Sequence, residues 1–176
     1  ENQILFTYLH LSASSDLTEG LVKSKSICIA YETVTDENNR LPLLAPMSAV
    51  AGRMSIQAGA HCLEKPQGGS GLLVGGAPGV KPGNILILGG GVVGENAAII
   101  ASGLQANTFV VDKSETRLNE LKAKYGDNIN TLLSDDTNLE KFLSECDLLI
   151  GGVLIPGANA PKLISKEMLK LMKPRS

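Results

Sequence analysis

The stretch Asn84–Gly94 restricts the possible fold more than any other part of the sequence. Residues 85–88 are consecutive apolar residues, a pattern typical of a strand buried on both faces of a parallel sheet. Three glycines in the spacing G-x-G-x-x-G follow: Gly89, Gly91 and Gly94. The alanine-rich run 96–104 then predicts a helix. A strand, a glycine turn and a helix in this order are the context in which the motif indicates dinucleotide binding.

Each glycine of the motif has its own physical role. Gly89 permits the tight turn, Gly91 lets a pyrophosphate approach the backbone, and Gly94 lets the helix pack close to the strand. The N-terminus of the helix presents unpaired N–H groups and the positive end of its dipole to the phosphates.

A second element supports this interpretation. Residues 109–111 predict the next strand, and Asp112 ends it about 20 residues after the motif, where a ribose hydroxyl needs an acceptor. The alternative is a solvated carboxylate at a strand end. Because Asp112 would repel a 2′-phosphate, we expect the cofactor to be NAD and not NADP.

Composition excludes several classes of partner. The 176 residues are 43% hydrophobic with a mean hydropathy of +0.10, as expected of a globular chain. The net charge is −2 and no basic patch is present, so we expect no nucleic-acid or membrane partner. No secretory signal or membrane span is visible, which favours a cytoplasmic protein. The three cysteines, Cys28, Cys62 and Cys146, lack metal-ligand spacing, so we expect them to be small buried groups and predict no metal.

The N-terminal part predicts a βαβ unit. Residues 4–9 and 27–30 predict two parallel neighbouring strands, joined by a helix over 17–22 that Asp16 caps. A short extended piece is expected at 41–44. His10 follows the carboxyl end of its strand, where ligands bind in parallel α/β sheets, although a purely structural histidine fits the same position.

A long helix over 46–63 is expected to begin at the cap Ser48. Its four-residue spacing predicts one packed stripe, consisting of Val50, Met54, Ala58 and Cys62. His61 in this helix is interpreted as structural or solvated. The glycine-rich segment 67–83 is interpreted as a linker or a turn-rich approach to the first nucleotide-binding strand. The glycine-rich stretch could separate two domains, or the boundary could lie earlier, within 41–48, if the long helix belongs to the second domain. We adopt the earlier boundary and assign residues 1–45 to part of a substrate domain and residues 46–176 to a nucleotide-binding domain.

The pattern after Asp112 repeats helices and strands. Helices are predicted over 114–125, 139–143 and 166–172, and strands over 129–133 and 148–150. Ser114 and Ser165 are the expected caps of the first and last helix. The fold class is therefore α/β, with a Rossmann-like, doubly wound parallel sheet and part of a second α/β domain.

Six segments together closely resemble the alanine dehydrogenase family, over nearly the whole chain. They are Thr7-Tyr8-Leu9-His10, Ala30-Tyr31-Glu32-Thr33-Val34, Pro46-Met47-Ser48, Ala51-Gly52-Arg53-Met54, Gly89-Gly90-Gly91-Val92-Val93-Gly94 and Val153-Leu154-Ile155-Pro156-Gly157. The resemblance implies an oxidoreductase of two domains that uses NAD to deaminate L-alanine to pyruvate and ammonia, an activity of alanine catabolism. It also implies a homohexamer.

The resemblance assigns roles to individual residues. The family's acid/base histidine in the cleft matches His10, and an imidazole that titrates near neutrality can transfer protons in both directions. The family's cofactor contacts match Ser48, Val92, Val93, Asp112, Arg117, Ser134, Val153 and Leu154, beside the motif glycines. From its position alone, Arg117 could instead be an exposed helix charge.

The chain also departs from the family pattern. The family's substrate-binding arginine and lysine precede the position of His10, and its second acid/base residue, an aspartate, follows the last helix. We therefore expect the chain to be an incomplete piece, to lack the last strands of its sheet, and to be inactive when isolated. Gln105 interrupts a glycine turn, so Asn107 is expected to supply a left-handed residue, and Arg175 replaces a glycine.

Two other functions fit the sequence less well. One is the NAD(H)-binding component of a proton-translocating transhydrogenase, which shares the fold. The other is a non-catalytic nucleotide-binding fragment. His10 and the segment 31–34 resemble the dehydrogenase more closely.

Overall fold

A computed structural model describes residues 2–134, 136–155 and 162–176, with the side chains of 136–138 left out. The described residues form two compact units. The first contains the residues up to Ser48 together with Leu154 and Ile155, and the second contains those from Ala49 to Val153 and from Lys162 to Ser176. Within the described ranges, no helix combines the length and the apolar character that crossing a membrane requires. The functional assignment of the two domains stays a prediction.

The first unit is a small βαβ arrangement. Strands β1 (Ile4–Thr7) and β2 (Ile27–Ala30) are parallel neighbours joined by helix α1 (Ser15–Ser24), as predicted. The cap was predicted wrongly, since the Ser14 hydroxyl accepts from the Leu17 N–H and Asp16 lies in the first turn. The predicted extended piece at 41–44 is also wrong, because those residues turn into the next helix.

The second unit is a parallel sheet with connecting helices. Its strands are β3 (Asn84–Leu88), β4 (Asn107–Asp112), β5 (Asn130–Leu133) and β6 (Leu148–Gly151). Its helices after β3 are α3 (Val92–Gly103), α4 (Glu115–Tyr125), α5 (Asp136–Glu145) and α6 (Lys166–Leu169). The strand order is β5-β4-β3-β6 with all pairs parallel, and β6 lies at one edge. The Rossmann-like α/β fold is confirmed.

The central strand β3 is buried on both faces, as its apolar run predicted. Ile85 and Ile87 join one core with α3 and α4, whereas Leu86 and Leu88 join the other with α5 and α6. Side chains alternate across a strand, so four consecutive apolar residues supply both cores. Helices on both faces leave the carboxyl ends of the strands as the accessible edge of the sheet.

Helix α2 (Ala45–Cys62) was placed correctly, but its buried face was not. Ser48 lies inside the helix and its N–H donates to the Leu44 carbonyl, so it is not the cap. The predicted stripe is largely exposed, with Val50 at 56% and Met54 at 59%. The buried residues are Gly52, Ile56, Gly59 and, just after the helix, Leu63.

Glycines explain why the other face of α2 packs. A Cβ on Gly52 would lie 2.1 Å from the Val93 carbonyl oxygen, and one on Gly59 would lie 2.5 Å from the Leu148 side chain. The helix therefore approaches the sheet and α3 through positions that carry no side chain. Hydrophobic spacing gives no weight to glycine, which is why it selected the exposed stripe.

The two positions at which the chain departs from the glycines of the family pattern, Gln105 and Arg175, both have a left-handed backbone conformation. Gln105 has φ +65° and Arg175 has φ +65°. The prediction that Asn107 supplies the left-handed residue is wrong, because Asn107 is the first residue of β4. Such a conformation costs about 1–3 kcal/mol for a residue with a Cβ, so the surrounding structure must impose it.

The corrected face of α2 gives a stability prediction. Replacing the fully buried Ile56 by alanine should lower the free energy of unfolding by about 2–5 kcal/mol, because a cavity forms. The control, Met54→Ala, should change it by less than about 0.5 kcal/mol. Urea unfolding of the full protein followed by circular dichroism measures both. A larger loss for Met54→Ala would contradict the assigned face.

Candidate functional site

The glycine turn brings helix α3 onto the end of β3. Gly89 has φ +93°, and a Cβ on Gly94 would lie only 1.7 Å from the Gly89 carbonyl oxygen. Gly91 is the N-cap residue of α3, and no side chain caps the helix there. A Cβ on Gly91 would meet nothing within 4 Å, so the backbone is open to a ligand at this position. Gly89 and Gly94 shape the turn, and Gly91 leaves it accessible.

Asp112 binds the glycine turn directly. Its Oδ2 accepts from the Gly90 N–H at 2.6 Å, and its Oδ1 accepts from the Ser114 N–H at 2.8 Å. The Asp112 carbonyl in turn accepts from the Ser134 N–H at 2.9 Å. The carboxylate predicted from spacing alone therefore lies beside the motif, and each of its oxygens retains a lone pair for a ligand hydroxyl.

The end of β6 closes the other side of the turn. The Gly152 N–H donates to the Leu88 carbonyl at 2.7 Å. A Cβ on Gly89 would lie 2.9 Å from Val153 Cγ2. Adjacent strands β3 and β6 mark the point at which the strand order reverses, and ligands of open α/β sheets bind there.

Arg117 connects the turn to an acidic residue that sequence reasoning missed. Its Nε donates to the Gly90 carbonyl at 2.7 Å, its Nη2 forms an ion pair with Glu95, and its Nη1 binds Glu120 at 2.8 Å. Glu95 also accepts from Lys124 at 2.8 Å and from the Tyr125 hydroxyl at 2.6 Å. In the sequence, Glu95 is recognisable only as a carboxylate directly after the last motif glycine, and that position does not indicate its partners.

Glu95 is strongly stabilised as a carboxylate. Burial by itself acts to raise its pKa, since the side chain is only 16% exposed. The hydrogen bonds from Lys124, Tyr125 and Arg117 outweigh burial and lower the pKa to about 2. The carboxylate is therefore charged at every physiological pH.

His10 is held by its neighbours in the first unit. Its backbone is left-handed, with φ +49°, and its N–H donates to Glu32 Oε1 at 2.7 Å. Its Nδ1 is 2.8 Å from the Tyr8 hydroxyl, and the two rings are stacked. Burial acts to raise the pKa of Glu32, but the N–H groups of His10 and Leu9 lower it below its usual value. The ring nitrogen Nε2 of His10 is the one that Tyr8 does not engage.

The structure groups most of the predicted site residues. The second unit brings together Gly89, Gly91, Val92, Val93, Gly94, Asp112, Arg117, Ser134 and Val153 at the carboxyl edge of its sheet. His10, Ser48 and Leu154 belong to the first unit. Pro156 and Gly157 of the last motif lie outside the described residues. Among the described residues, no group of three or more His, Cys, Asp or Glu side chains could hold a metal.

These residues fit a dinucleotide. The open backbone at Gly91 and the N-terminus of α3 suit a pyrophosphate, because N–H groups and the helix dipole both favour an anion. Asp112 is placed to accept a ribose hydroxyl beside the same turn.

Comparison with known proteins identifies relatives over the whole chain. Residues 55–176 match the family profile "Alanine dehydrogenase/PNT, C-terminal domain", and residues 1–51 match "Alanine dehydrogenase/PNT, N-terminal domain". The alanine dehydrogenase of Halomonas elongata is 57% identical over 174 residues, which are 99% of this chain and 47% of that protein. The chain therefore spans about half the length of the curated relatives it matches.

Solved structures agree with these matches. A structure described as L-alanine dehydrogenase has a TM-score of 0.89 and 49% identity, covering 98% of this chain and 48% of its own. A transhydrogenase from Sinorhizobium meliloti has a TM-score of 0.75 and 21% identity, covering 98% of this chain and 51% of its own. The second likeness shows a shared fold only.

The close approach at the turn predicts a large effect of one methyl group. Gly94→Ala should destabilise the full protein by at least about 3 kcal/mol, because rigid backbone meets the new Cβ. Gly103→Ala at the end of the same helix is the control; nothing lies near its Cβ, and alanine should stabilise by up to about 1 kcal/mol. Urea unfolding compares the variants. Equal stability of the two would contradict the described contact.

The charge on Glu95 predicts a pH dependence. Because its folded pKa of about 2 lies below its ordinary 4.5, its stabilisation is present above pH 4.5 and is lost as pH falls toward 2. Between pH 6 and pH 3 the wild-type protein should lose about 1–2 kcal/mol more stability than Glu95→Gln, with partial exposure of the partners reducing the effect. Glu120→Gln, which removes the more exposed partner of Arg117, should retain the wild-type slope. Parallel slopes for wild type and Glu95→Gln would contradict the prediction.

Proposed function

Because the chain belongs to the alanine dehydrogenase/PNT family, we propose that it forms part of an NAD-dependent L-alanine dehydrogenase. The reaction is the reversible oxidative deamination of L-alanine to pyruvate and ammonia. The observation that carries the proposal is the hydrogen bond between Asp112 and the glycine turn, which supports a dinucleotide site in the second unit. The choice of alanine as the substrate rests on the relative that is 57% identical and is named alanine dehydrogenase.

The roles of the two parts follow from this proposal. Residues 46–176 bind NAD and residues 1–45 contribute to the substrate domain. The proposed cofactor contacts are Ser48, Gly89, Gly91, Val92, Val93, Gly94, Asp112, Arg117, Ser134, Val153 and Leu154. The first turn of α3 binds the pyrophosphate, and Asp112 accepts a ribose hydroxyl and disfavours a 2′-phosphate. When bound, NAD supplies the acceptor for the hydride that leaves the substrate Cα.

His10 is the proposed acid/base group. The Tyr8 hydroxyl occupies Nδ1, so proton transfer to and from the substrate uses Nε2. In the oxidative direction, water adds to the imino carbon after hydride loss, and ammonia leaves as the carbonyl forms. His10 accepts the proton that the attacking water releases and returns it to the leaving nitrogen. The imidazole, neutral again, then accepts the hydroxyl proton as the carbonyl forms and ammonia leaves. Glu32 fixes the backbone of His10, which sets the direction of the ring.

The assembly is also part of the proposal. We propose a cytoplasmic homo-oligomer, and a hexamer by family resemblance.

The two histidines of the chain provide a matched test. In the full-length protein, His10→Ala should lower kcat for alanine-dependent NADH formation by about 10²–10⁴-fold, the usual contribution of an acid/base group. NAD affinity, measured by titration calorimetry, should be unchanged. His61→Ala should retain kcat, because His61 is exposed on α2 and pairs only with Glu64 among its described partners.

The outcomes separate the rival functions. Alanine-dependent NADH formation that survives His10→Ala would remove the proposed catalytic role. NAD binding by the wild-type protein without any alanine chemistry would instead support a non-catalytic module or a component that acts with a second nucleotide-binding subunit.

A further inference from the structure

Arg117 occupies the corner where the choice between NAD and NADP is made. A Cβ on Gly90 would lie 3.4 Å from Asp112 Oδ2 and 3.4 Å from Arg117 Cγ, so both side chains flank the same peptide of the turn. In dinucleotide sites an arginine near the ribose acceptor is the group that accommodates a 2′-phosphate. The chain therefore carries a potential phosphate ligand beside the carboxylate that is expected to exclude phosphate.

The guanidinium of Arg117 is engaged on all of its nitrogen atoms. Nε donates to the Gly90 carbonyl, Nη2 pairs with Glu95 and Nη1 pairs with Glu120. Phosphate recognition by arginine uses two parallel N–H groups of one guanidinium. Both terminal nitrogens of Arg117 bind a carboxylate here, and Glu95 is the more buried of the two carboxylates, with 16% of its side chain exposed against 59% for Glu120.

We propose that Glu95 is a specificity-determining residue which, by occupying the guanidinium of Arg117, prevents this arginine from binding the 2′-phosphate of NADP. The inference rests on the proposed NAD site. It assigns cofactor choice to two carboxylates with different actions: Asp112 acts directly on the ribose, and Glu95 acts through Arg117. Removal of Asp112 alone would then leave NADP without its arginine ligand.

Other groups near Arg117 do not replace Glu95 in this role. Lys124 and the Tyr125 hydroxyl both donate hydrogen bonds to Glu95, so they position this carboxylate and do not themselves bind Arg117. Glu120 is exposed and pairs with Arg117 across one turn of α4. Ion pairs between exposed side chains are weak in water, so Glu120 holds Arg117 only weakly. Glu95 comes from a different helix, α3, and so fixes Arg117 against the glycine turn.

The test measures NADP and NAD affinity of the full-length protein by titration calorimetry. The starting variant is Asp112→Asn, which removes the charge and keeps a side-chain oxygen of the same reach as an acceptor for the Gly90 N–H. Adding Glu95→Gln should tighten NADP binding by at least about 10-fold, the worth of one or two charge-assisted hydrogen bonds, while NAD affinity changes less than about 3-fold. Adding Arg117→Ala to that double variant should abolish the gain.

A matched control separates this mechanism from general electrostatics. Glu115→Gln removes the same charge from the first turn of α4, close to Asp112 in sequence, and should alter NADP affinity in the Asp112→Asn variant by less than about 3-fold. Should Glu95→Gln prove too unstable for titration, Glu95→Thr with Glu120→Gln in the same background tests the same release of Arg117.

Two results would overturn the inference: an unchanged ratio of NADP to NAD affinity after Glu95 is replaced, or a gain that persists without Arg117. Failure of the proposed NAD site would look different: the wild-type protein would then bind neither dinucleotide, and that result would also overturn the inference. A protein that binds NAD but shows no alanine chemistry would contradict the proposed function alone and leave the inference standing.

Discussion

The backbone contact between Gly94 and the Gly89 carbonyl is the constraint on which the second unit depends. The Cβ position of Gly94 lies 1.7 Å from that oxygen, so the first turn of α3 crosses the end of β3 with no side chain between them. Helix α2 reaches the same corner by the same means, since a Cβ on Gly52 would lie 2.1 Å from the Val93 carbonyl oxygen. Backbone contacts, more than side-chain packing, thus fix the N-terminus of α3 beside the carboxyl ends of the strands.

Charged side chains then hold the turn from outside. The N–H of Gly90 donates to Asp112, and its carbonyl accepts from Arg117, so both polar groups of one peptide are bound. Glu95 and Glu120 balance the arginine, and the low pKa of Glu95 keeps that balance at physiological pH. Backbone contacts shape the site, whereas these side chains determine which ligand charge it accepts.

Sequence reasoning succeeded where a pattern has a single structural solution. The apolar run before Gly89 specified the central strand, and the spacing to Asp112 placed a carboxylate at the turn, both as observed. It failed on α2, where a four-residue repeat of apolar residues marked the exposed side, and the buried side depends on Gly52 and Gly59. Periodicity measures hydrophobicity, and a glycine that permits close approach contributes nothing to it.

Glu95 escaped prediction for a related reason. A carboxylate in the first turn of a helix is favoured by the dipole alone, so its presence in sequence carries no information about partners. Its three partners, Arg117, Lys124 and Tyr125, lie on α4, which follows a further strand, and only the folded sheet brings them to it. Asp112 likewise has two roles in the folded protein, since it binds the glycine turn and is proposed to bind the ribose. Deleting its side chain would remove both interactions at once. A change of cofactor from NAD to NADP therefore requires removing the charge of Asp112 while preserving its hydrogen bond to Gly90. It also requires removing Glu95, because Arg117 can bind a phosphate only when this carboxylate from α3 no longer holds it.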